Sequence, residues 1–174
     1  TKPGTRFTDP HDATVKVLTQ GMLDLGLIDK QQHGTLDDAI ANRAYFAHYM
    51  HRTGHWLGMD VHDCGSYVEP SEVGQVSERR DPLSGEVIKD RPSRILRPGM
   101  VLTIEPGIYF IDMLLDELKA KGLGDAVDWA RVDAFKPYGG IRIEDDAVVT
   151  DSGCELITRD VPVEPEAIEA LMWA

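Results

Sequence analysis

The stretch His51-Arg52-Thr53-Gly54-His55-Trp56-Leu57-Gly58-Met59-Asp60-Val61-His62-Asp63 carries the pattern that most constrains the fold of this chain. Two glycines within it allow another backbone to approach closely. From Leu57 to Val61 every second residue is apolar, and this period of two predicts a β-strand. His55 and His62 lie in the same stretch, so we expect both imidazoles on a strand that is open to a neighbouring backbone.

Two carboxylates occupy similar positions further along the chain. Glu105 ends the apolar run Met100–Ile104 and is followed at once by Pro106-Gly107, which breaks the predicted strand. An unpaired carboxylate at the end of such a run would be costly to bury, so we expect a cation or a strong hydrogen-bond partner there. Glu144 likewise ends a predicted strand, Ile141–Glu144, that follows two glycines.

One histidine with two carboxylates is not a zinc-finger ligand set, and it suits an oxygen-preferring ion such as Mn²⁺ or Co²⁺ better. The three residues taken alone are also compatible with ordinary structural roles. His55 is equally explained as a core histidine with satisfied hydrogen bonds, and Glu105 as a turn residue that faces water. Glu144, with Asp145 and Asp146, is equally explained as part of a solvated acidic loop.

The rest of the sequence predicts an α+β fold. A first helix begins at Thr8-Asp9-Pro10, carries apolar residues three and four positions apart, and ends at Gly26. A second helix begins at Thr35, where Asp38 completes a capping box. The other predicted elements are a polar loop or hairpin over residues 69–94, a turn over 97–99 into a strand over 100–104, a helix over 114–121 and a final helix that includes 168–172.

Composition limits the possible partners. The chain has 174 residues, enough for one globular domain, and its net charge of −12 argues against nucleic acid as the main partner. No apolar run approaches the roughly 20 residues that cross a bilayer, so we expect no membrane partner, and the first residues lack a signal-peptide pattern. Cys64 and Cys154 are expected to be free thiols of a cytoplasmic protein.

Three blocks of sequence, in order, resemble the Xaa-Pro peptidase family, that is, the prolidases and the proline-specific aminopeptidases of the aminopeptidase P type. The blocks are the stretch from His51 to Asp63, the stretch from Pro98 to Tyr109, and Gly140-Ile141-Arg142-Ile143-Glu144-Asp145. The resemblance runs over essentially the whole chain. It implies the pita-bread fold of methionine aminopeptidase, of which this chain would be the carboxyl-terminal portion.

The resemblance also implies a set of functional residues. The positions that match the family's metal ligands are His55, Glu105 and Glu144, and the ions are expected to be two Mn²⁺, with Co²⁺ or Zn²⁺ as alternatives. His62 and Arg142 match residues that contact the substrate and steady the reacting carbonyl. The resemblance further implies metal-assisted hydrolysis, in which Glu105 accepts the proton of the attacking water as well as binding metal.

Two more residues are candidates for substrate binding. His51 lies near the same histidines in sequence, although it is equally explained as ordinary polarity along a strand. Arg91 matches the position at which prolidases place an arginine that pairs with the free carboxylate of a dipeptide. A planar guanidinium suits such a carboxylate, because it can donate two parallel hydrogen bonds. The alternative for Arg91 is a solvated arginine in a loop.

One departure from the family pattern is serious. The family uses five protein ligands, and two of these are aspartates on a strand pair that has no counterpart in residues 1–50; Asp37 and Asp38 fall in a predicted helix. We therefore expect residues 1–174 to be a partial metallopeptidase catalytic domain. Such a domain would associate with an upstream fragment or with further copies of itself, because the absent strand pair would leave apolar surface uncovered.

Three functions stay open. The first is hydrolysis of the Xaa-Pro bond, either of dipeptides by a prolidase, as residues 107–116 and 135–141 suggest, or of longer peptides by an aminopeptidase P, as the segment with Trp56 suggests. The second is a non-catalytic binding module with the same fold, against which the five polar residues of the three blocks argue. The third, a metal-free structural domain, leaves the carboxylates unexplained.

Overall fold

The computed structural model describes residues 1–121 and 127–173, which form an α+β fold of helices and short strands. The helices are α1 (Asp9–Leu25), α2 (Lys30–His33), α3 (Leu36–Ala41), α4 (Asp112–Ala120), α5 (Trp129–Phe135) and α6 (Pro165–Met172), with 3₁₀ turns at Ala44–Ala47, Pro70–Glu72 and Lys136–Tyr138. The strands are β1 (Ser77–Arg80), β2 (Val87–Asp90), β3 (Val101–Ile104), β4 (Gly107–Tyr109), β5 (Gly140–Arg142), β6 (Asp145–Val149) and β7 (Cys154–Leu156). Within the described ranges, no helix is long and apolar enough to span a membrane.

The helices pack around one apolar cluster. Helix α1 ends as predicted at Gly26, whose φ of 72° is the left-handed conformation that glycine adopts at least cost. Thr35 and Asp38 form the predicted capping box at the start of α3. The buried side chains of this cluster come from α1 and α3–α5 and from the segments between them: Val15, Met22, Leu23, Leu27, Ile28, Ala39, Ala44, Ala47, Tyr49, Leu115, Val127 and Val132.

The register of two small sheets brings the ends of four strands to one place. Strand β3 pairs antiparallel with β6, which in turn pairs with β7, and Ile104 lies opposite Asp145. Strand β4 pairs antiparallel with β5, and Gly107 lies opposite Arg142. The two-residue link 105–106 therefore faces the two-residue link 143–144. A second apolar cluster of Trp56, Leu96, Leu102 and Val149 supports this region.

The polar segment predicted as a loop or hairpin does contain a hairpin, formed by β1 and β2. Its turn is held by an ion pair of 2.6 Å between Arg43 and Asp81. At its base, Glu69 is 1% exposed and accepts hydrogen bonds from Arg97 and from the Ile95 amide. These bonds, with that of Arg97 first, lower the pKa of Glu69 to about 2.

The prediction of a strand over residues 57–61 is wrong. The chain turns back on itself there: the Gly58 amide donates to the Val61 carbonyl at 3.1 Å, and Met59 is fully exposed. A Cβ at Gly58 would lie 2.4 Å from the carbonyl carbon of His62, so the glycine serves a tight turn rather than a strand. His55 therefore lies in an irregular segment beside β3. An isolated bridge joins Trp56 to Leu102, and the Thr103 amide donates to the His55 carbonyl at 2.9 Å.

Two other expectations need correction. The strand predicted to run to Glu144 ends at Arg142, because Glu144 belongs to the link between β5 and β6. Helix α5 was not predicted. The sequence carries two signals for this helix. One is the spacing of three positions between Trp129, Val132 and Phe135, which pack in or against the first apolar cluster, and the other is the cap that Asp128 provides to the Arg131 amide.

Candidate metal centre

The structure brings His55, Glu105 and Glu144 together. One ligand atom from each residue lies within 4.8 Å of those of the other two. The side chains of His55 and Glu105 are each 13% exposed, while that of Glu144 is 38% exposed. The cluster is thus open to solvent on the side of Glu144 and enclosed on the side of the other two.

The orientation of the His55 ring is determined by its own backbone neighbourhood. Its Nδ1 lies 2.9 Å from the carbonyl oxygen of Trp56, and because a carbonyl oxygen only accepts, Nδ1 carries the proton. The other nitrogen, Nε2, lies 3.3 Å from Oε1 of Glu105. Metal-binding histidines typically donate one ring N–H in this way and present the other nitrogen to the ion.

Glu105 is held by its backbone and by its carboxylate. Its amide donates to the Thr53 carbonyl at 2.6 Å, and its Oε1 accepts the Thr103 hydroxyl at 2.9 Å. The Thr103 oxygen also accepts the His55 amide at 3.0 Å, so one buried threonine links two of the three clustered residues. This packing needs Gly54, since a Cβ there would lie 1.9 Å from the Thr103 carbonyl oxygen.

Arg142 supplies positive charge beside the two carboxylates. Its guanidinium lies 2.9 Å from Glu144 Oε2 and 3.7 Å from Glu105 Oε2. A hydrogen bond to Tyr109, followed by the charge of Glu144, raises the pKa of Arg142. Tyr109 also lies 3.0 Å from Nε2 of His51, whose Nδ1 donates to the Arg52 carbonyl. Nε2 therefore accepts a hydrogen bond from the Tyr109 hydroxyl.

His62 and Arg91 lie at different distances from this cluster. The His62 ring packs edge-on against the His55 ring, with centroids 4.2 Å apart, and it is exposed to solvent at the mouth of the site. Within the described residues, Arg91 forms no hydrogen bond or ion pair with the three clustered residues. It lines a cavity of about 940 Å³ together with His51 and Arg52.

Three residues around the cluster were not predicted from the sequence: Thr53, Thr103 and Tyr109. Thr103 is a buried polar residue within the otherwise apolar strand β3, and such a residue signals a required hydrogen bond. Thr53 lies beside Gly54, which signals a close backbone approach. Tyr109 ends β4 and carries no such signal, because its partners His51 and Arg142 are distant in sequence.

His11 lies behind the centre, on the first turns of α1. Its Nδ1 is 3.1 Å from the Thr53 hydroxyl. Burial, followed by the positive charge of Arg52, lowers the pKa of His11 to about 4, so the ring is neutral near neutral pH. In the unfolded chain the same histidine has its ordinary pKa of 6.5, so as the pH falls the unfolded chain binds this proton before the folded chain does. The contribution of neutral His11 to the free energy of unfolding is therefore full above pH 6.5 and is lost as the pH falls toward 4.

We therefore expect the stability of the His11→Gln variant to fall less than that of the original chain as the pH is lowered. Between pH 6.5 and 4 the free energy of unfolding of the original chain should fall by roughly 1–2 kcal/mol more than that of the variant, after allowance for water around part of the ring. Urea unfolding at several pH values from 8 to 4 measures the difference. Parallel curves for the two chains over that range would contradict the buried neutral ring.

The donor set fits a divalent cation. Nε2 of His55 lies 3.3 Å from a carboxylate oxygen of Glu105, and these two atoms face one another favourably only with a positive charge, a proton or a metal ion, between them. A third donor, Glu144, lies on the open side, where Arg142 already offsets part of the negative charge. One imidazole and two carboxylates suit Mn²⁺, Co²⁺ or catalytic Zn²⁺.

Comparison with known proteins points to one family. Residues 1–151 match metallopeptidase family M24. An Xaa-Pro dipeptidase of Xanthomonas axonopodis pv. citri is 49% identical over 123 residues, which are 71% of this chain and 27% of the dipeptidase.

Solved structures agree with this match. The aminopeptidase PepP of Pseudomonas aeruginosa superposes with a TM-score of 0.68 at 41% identity, over 99% of this chain and 30% of its own. The Zn-substituted aminopeptidase P of E. coli in complex with product gives a TM-score of 0.64 at 36% identity, with the same coverage. The chain is thus similar to the pita-bread catalytic region of these enzymes and spans less than a third of their length.

Proposed function

We propose that this chain, which belongs to metallopeptidase family M24, supplies part of the dinuclear metal centre of an Xaa-Pro dipeptidase. The single observation that carries the proposal is the convergence of His55, Glu105 and Glu144, whose ligand atoms lie within 4.8 Å of one another. We assign these three as metal ligands. Mn²⁺ is the ion that the donor set favours, with Co²⁺ or Zn²⁺ as alternatives, and a relative accepts zinc.

The residues of the chain have separate roles in this proposal. When bound, the ions would lower the pKa of a water and so supply hydroxide near neutral pH. Glu105 accepts the proton of that water, because Thr103 fixes one carboxylate oxygen and leaves the other toward Arg142. His62, exposed at the mouth, and Arg142 donate hydrogen bonds to the carbonyl oxygen of the Xaa-Pro bond as it gains charge.

Support for a dipeptide substrate comes from the Xaa-Pro dipeptidase relative and from the cavity beside His51. Arg91 and Arg52 both line this cavity, and neither pairs with a carboxylate within the described residues. We propose that Arg91 binds the free carboxylate of the dipeptide, with His51 orienting the substrate. The alternative is an aminopeptidase P that acts on longer peptides, as the names of the solved relatives indicate.

A non-catalytic binding module is the candidate from a different class. It would keep the fold and dispense with the ligand cluster, so the preserved cluster favours the enzyme. We also propose a cytoplasmic location, which the two exposed free cysteines fit.

We propose, further, that residues 1–174 are a partial catalytic domain. The family resemblance implies two more aspartate ligands, which this sequence does not provide. Association with a fragment that carries them, or with further copies of the chain, is supported by the exposed apolar end of α6, where Leu171, Met172 and Trp173 are 67%, 72% and 86% exposed.

A chimera tests the function. Residues that precede the matched region in the Xanthomonas dipeptidase are joined to this chain, and hydrolysis of an Xaa-Pro dipeptide is measured with Mn²⁺. We expect turnover by the chimera and little or none by the 174-residue chain, because three ligands hold the ions less tightly than five. A chimera that binds Mn²⁺ without cleaving any Xaa-Pro peptide would favour the binding module. Robust turnover by the 174-residue chain would contradict the partial centre.

The same chimera decides between dipeptides and longer peptides. Arg91→Ala should raise KM for an Xaa-Pro dipeptide by about 10-fold or more, since a charged hydrogen bond contributes about 1.5–3 kcal/mol. KM for an Xaa-Pro-Xaa tripeptide, whose carboxylate lies further along, should change little. Arg159→Ala is the control, because this exposed arginine lies outside the cavity. Equal effects of Arg91→Ala on both substrates would favour aminopeptidase P.

A further inference from the structure

A buried polar cluster lies directly behind the ligand segments and takes no part in the proposed chemistry. The Thr53 hydroxyl lies between the Tyr49 hydroxyl and Nδ1 of His11, at 3.1 Å from the latter. Tyr49 is 0% exposed and Thr53 is 2% exposed. Three polar side chains from helix α1 and from the segment that leads to His55 therefore meet where the cost of an unpaired group is high.

The hydrogen bonds of this cluster can all be satisfied together. His11 is neutral near neutral pH, so its Nδ1 can accept a hydrogen bond from the Thr53 hydroxyl. The Thr53 oxygen can then accept a hydrogen bond from the Tyr49 hydroxyl. The Tyr49 hydroxyl also lies 3.5 Å from Nδ1 of His11, so the three groups contact one another, and the hydroxyl of Thr53 is held from two sides.

Thr53 connects this cluster to a proposed metal ligand. Its carbonyl oxygen accepts the Glu105 amide at 2.6 Å. The next residue, Gly54, has no room for a Cβ against the Thr103 carbonyl, so the two backbones are in direct contact. The Thr53 hydroxyl bonds to His11 on α1, and the Thr53 carbonyl bonds to the Glu105 amide, so Thr53 joins α1 to the backbone of Glu105.

We propose that Thr53 is a positioning residue for the metal centre: its hydroxyl, held by His11 and Tyr49, fixes the backbone carbonyl that holds Glu105 in place. The inference rests on the proposed function, because it concerns a ligand of that centre. A core threonine without this role would contribute to stability alone. A positioning residue also affects metal affinity, as groups that orient ligands commonly change it by about 10–100-fold.

The test compares Thr53→Val with Thr53→Ser in the 174-residue chain. Valine keeps the shape of threonine and removes the hydroxyl, while serine keeps the hydroxyl. Thr19→Val is the matched control, because Thr19 is buried in α1 and donates only to the Val15 carbonyl within its own helix. Two quantities are measured for each chain: hydrogen exchange of the Glu105 amide without metal, and Mn²⁺ affinity by calorimetry.

We expect Thr53→Val to speed Glu105 exchange by about 10-fold or more and to weaken Mn²⁺ binding by about 10-fold or more. Thr53→Ser should stay within about threefold of the original chain in both, and Thr19→Val should lower Tm without either effect. Unchanged exchange and affinity in Thr53→Val would overturn the inference. So would equal losses in Thr53→Ser and Thr53→Val, or a general rise in exchange across β3 and β6. Failure of the proposed function is distinct: the chimera would then cleave no Xaa-Pro peptide, whatever Thr53→Val does to the exchange of the Glu105 amide.

Discussion

Replacement of Glu105 by glutamine is expected to weaken Mn²⁺ binding to this chain by more than about 100-fold, with the Tm of the metal-free chain within a few degrees of the original. The loss should exceed the roughly 10–100-fold that a change in a supporting residue causes, because Glu105 is itself a proposed ligand. Glutamine has the same shape and keeps an oxygen that can accept the Thr103 hydroxyl, so the fold should persist.

Calorimetric titration with Mn²⁺ and thermal unfolding without it measure these two effects. Glu155→Gln, an exposed change on β7, is the matched control and should alter neither. Unchanged Mn²⁺ affinity in Glu105→Gln would show that Glu105 is not a metal ligand. A large fall in Tm without metal would instead assign Glu105 a structural role.

Replacement of Gly54 by alanine is expected to have the largest effect on stability. The new Cβ would lie 1.9 Å from the carbonyl oxygen and 2.9 Å from the carbonyl carbon of Thr103, and neither atom can move without displacing β3. Overpacking against a flexible side chain costs about 1–3 kcal/mol, so a clash with backbone should cost about 3 kcal/mol or more. For a chain of this size the Tm should fall by about 6–12 °C.

Gly21→Ala is the matched control for this change. Gly21 lies within α1 and has no atom near the position of an added Cβ, so alanine should raise the free energy of unfolding by about 0.5–1 kcal/mol. Denaturant unfolding of both variants gives the comparison. A loss below about 1 kcal/mol in Gly54→Ala would show that the segments of His55 and Glu105 are not held in direct contact.

Much of the candidate site could be predicted from the sequence, since three blocks resemble a known family and Glu105 also carries a local signal. Glu105 ends an apolar run before Pro-Gly, and a carboxylate in that place needs a partner. The first helix was predictable from its apolar spacing and from Gly26. The segment 57–61 misled because alternation in a tight turn resembles alternation in a strand, and only the contact of Gly58 with the His62 backbone distinguishes them.

Other features could not be predicted because they depend on residues far apart in the chain. The hydrogen bond between His51 and Tyr109 joins positions 58 residues apart. The end of β5 at Arg142 follows from pairing with β4 rather than from the residues of β5, which are all exposed. Helix α5 has only seven residues, so the spacing of Trp129, Val132 and Phe135 covers less than two turns and is a weak periodic signal.

The placement of the three clustered residues has a consequence for the order of folding. Glu105 follows His55 by 50 positions and Glu144 follows Glu105 by 39, so no short segment holds two of them. The loops that join them must close before any two donors meet, and such high contact order slows assembly. An ion that recognises all three would find its site only after the sheets have formed. The bound ion would then stabilise the folded chain by mass action and would slow its unfolding.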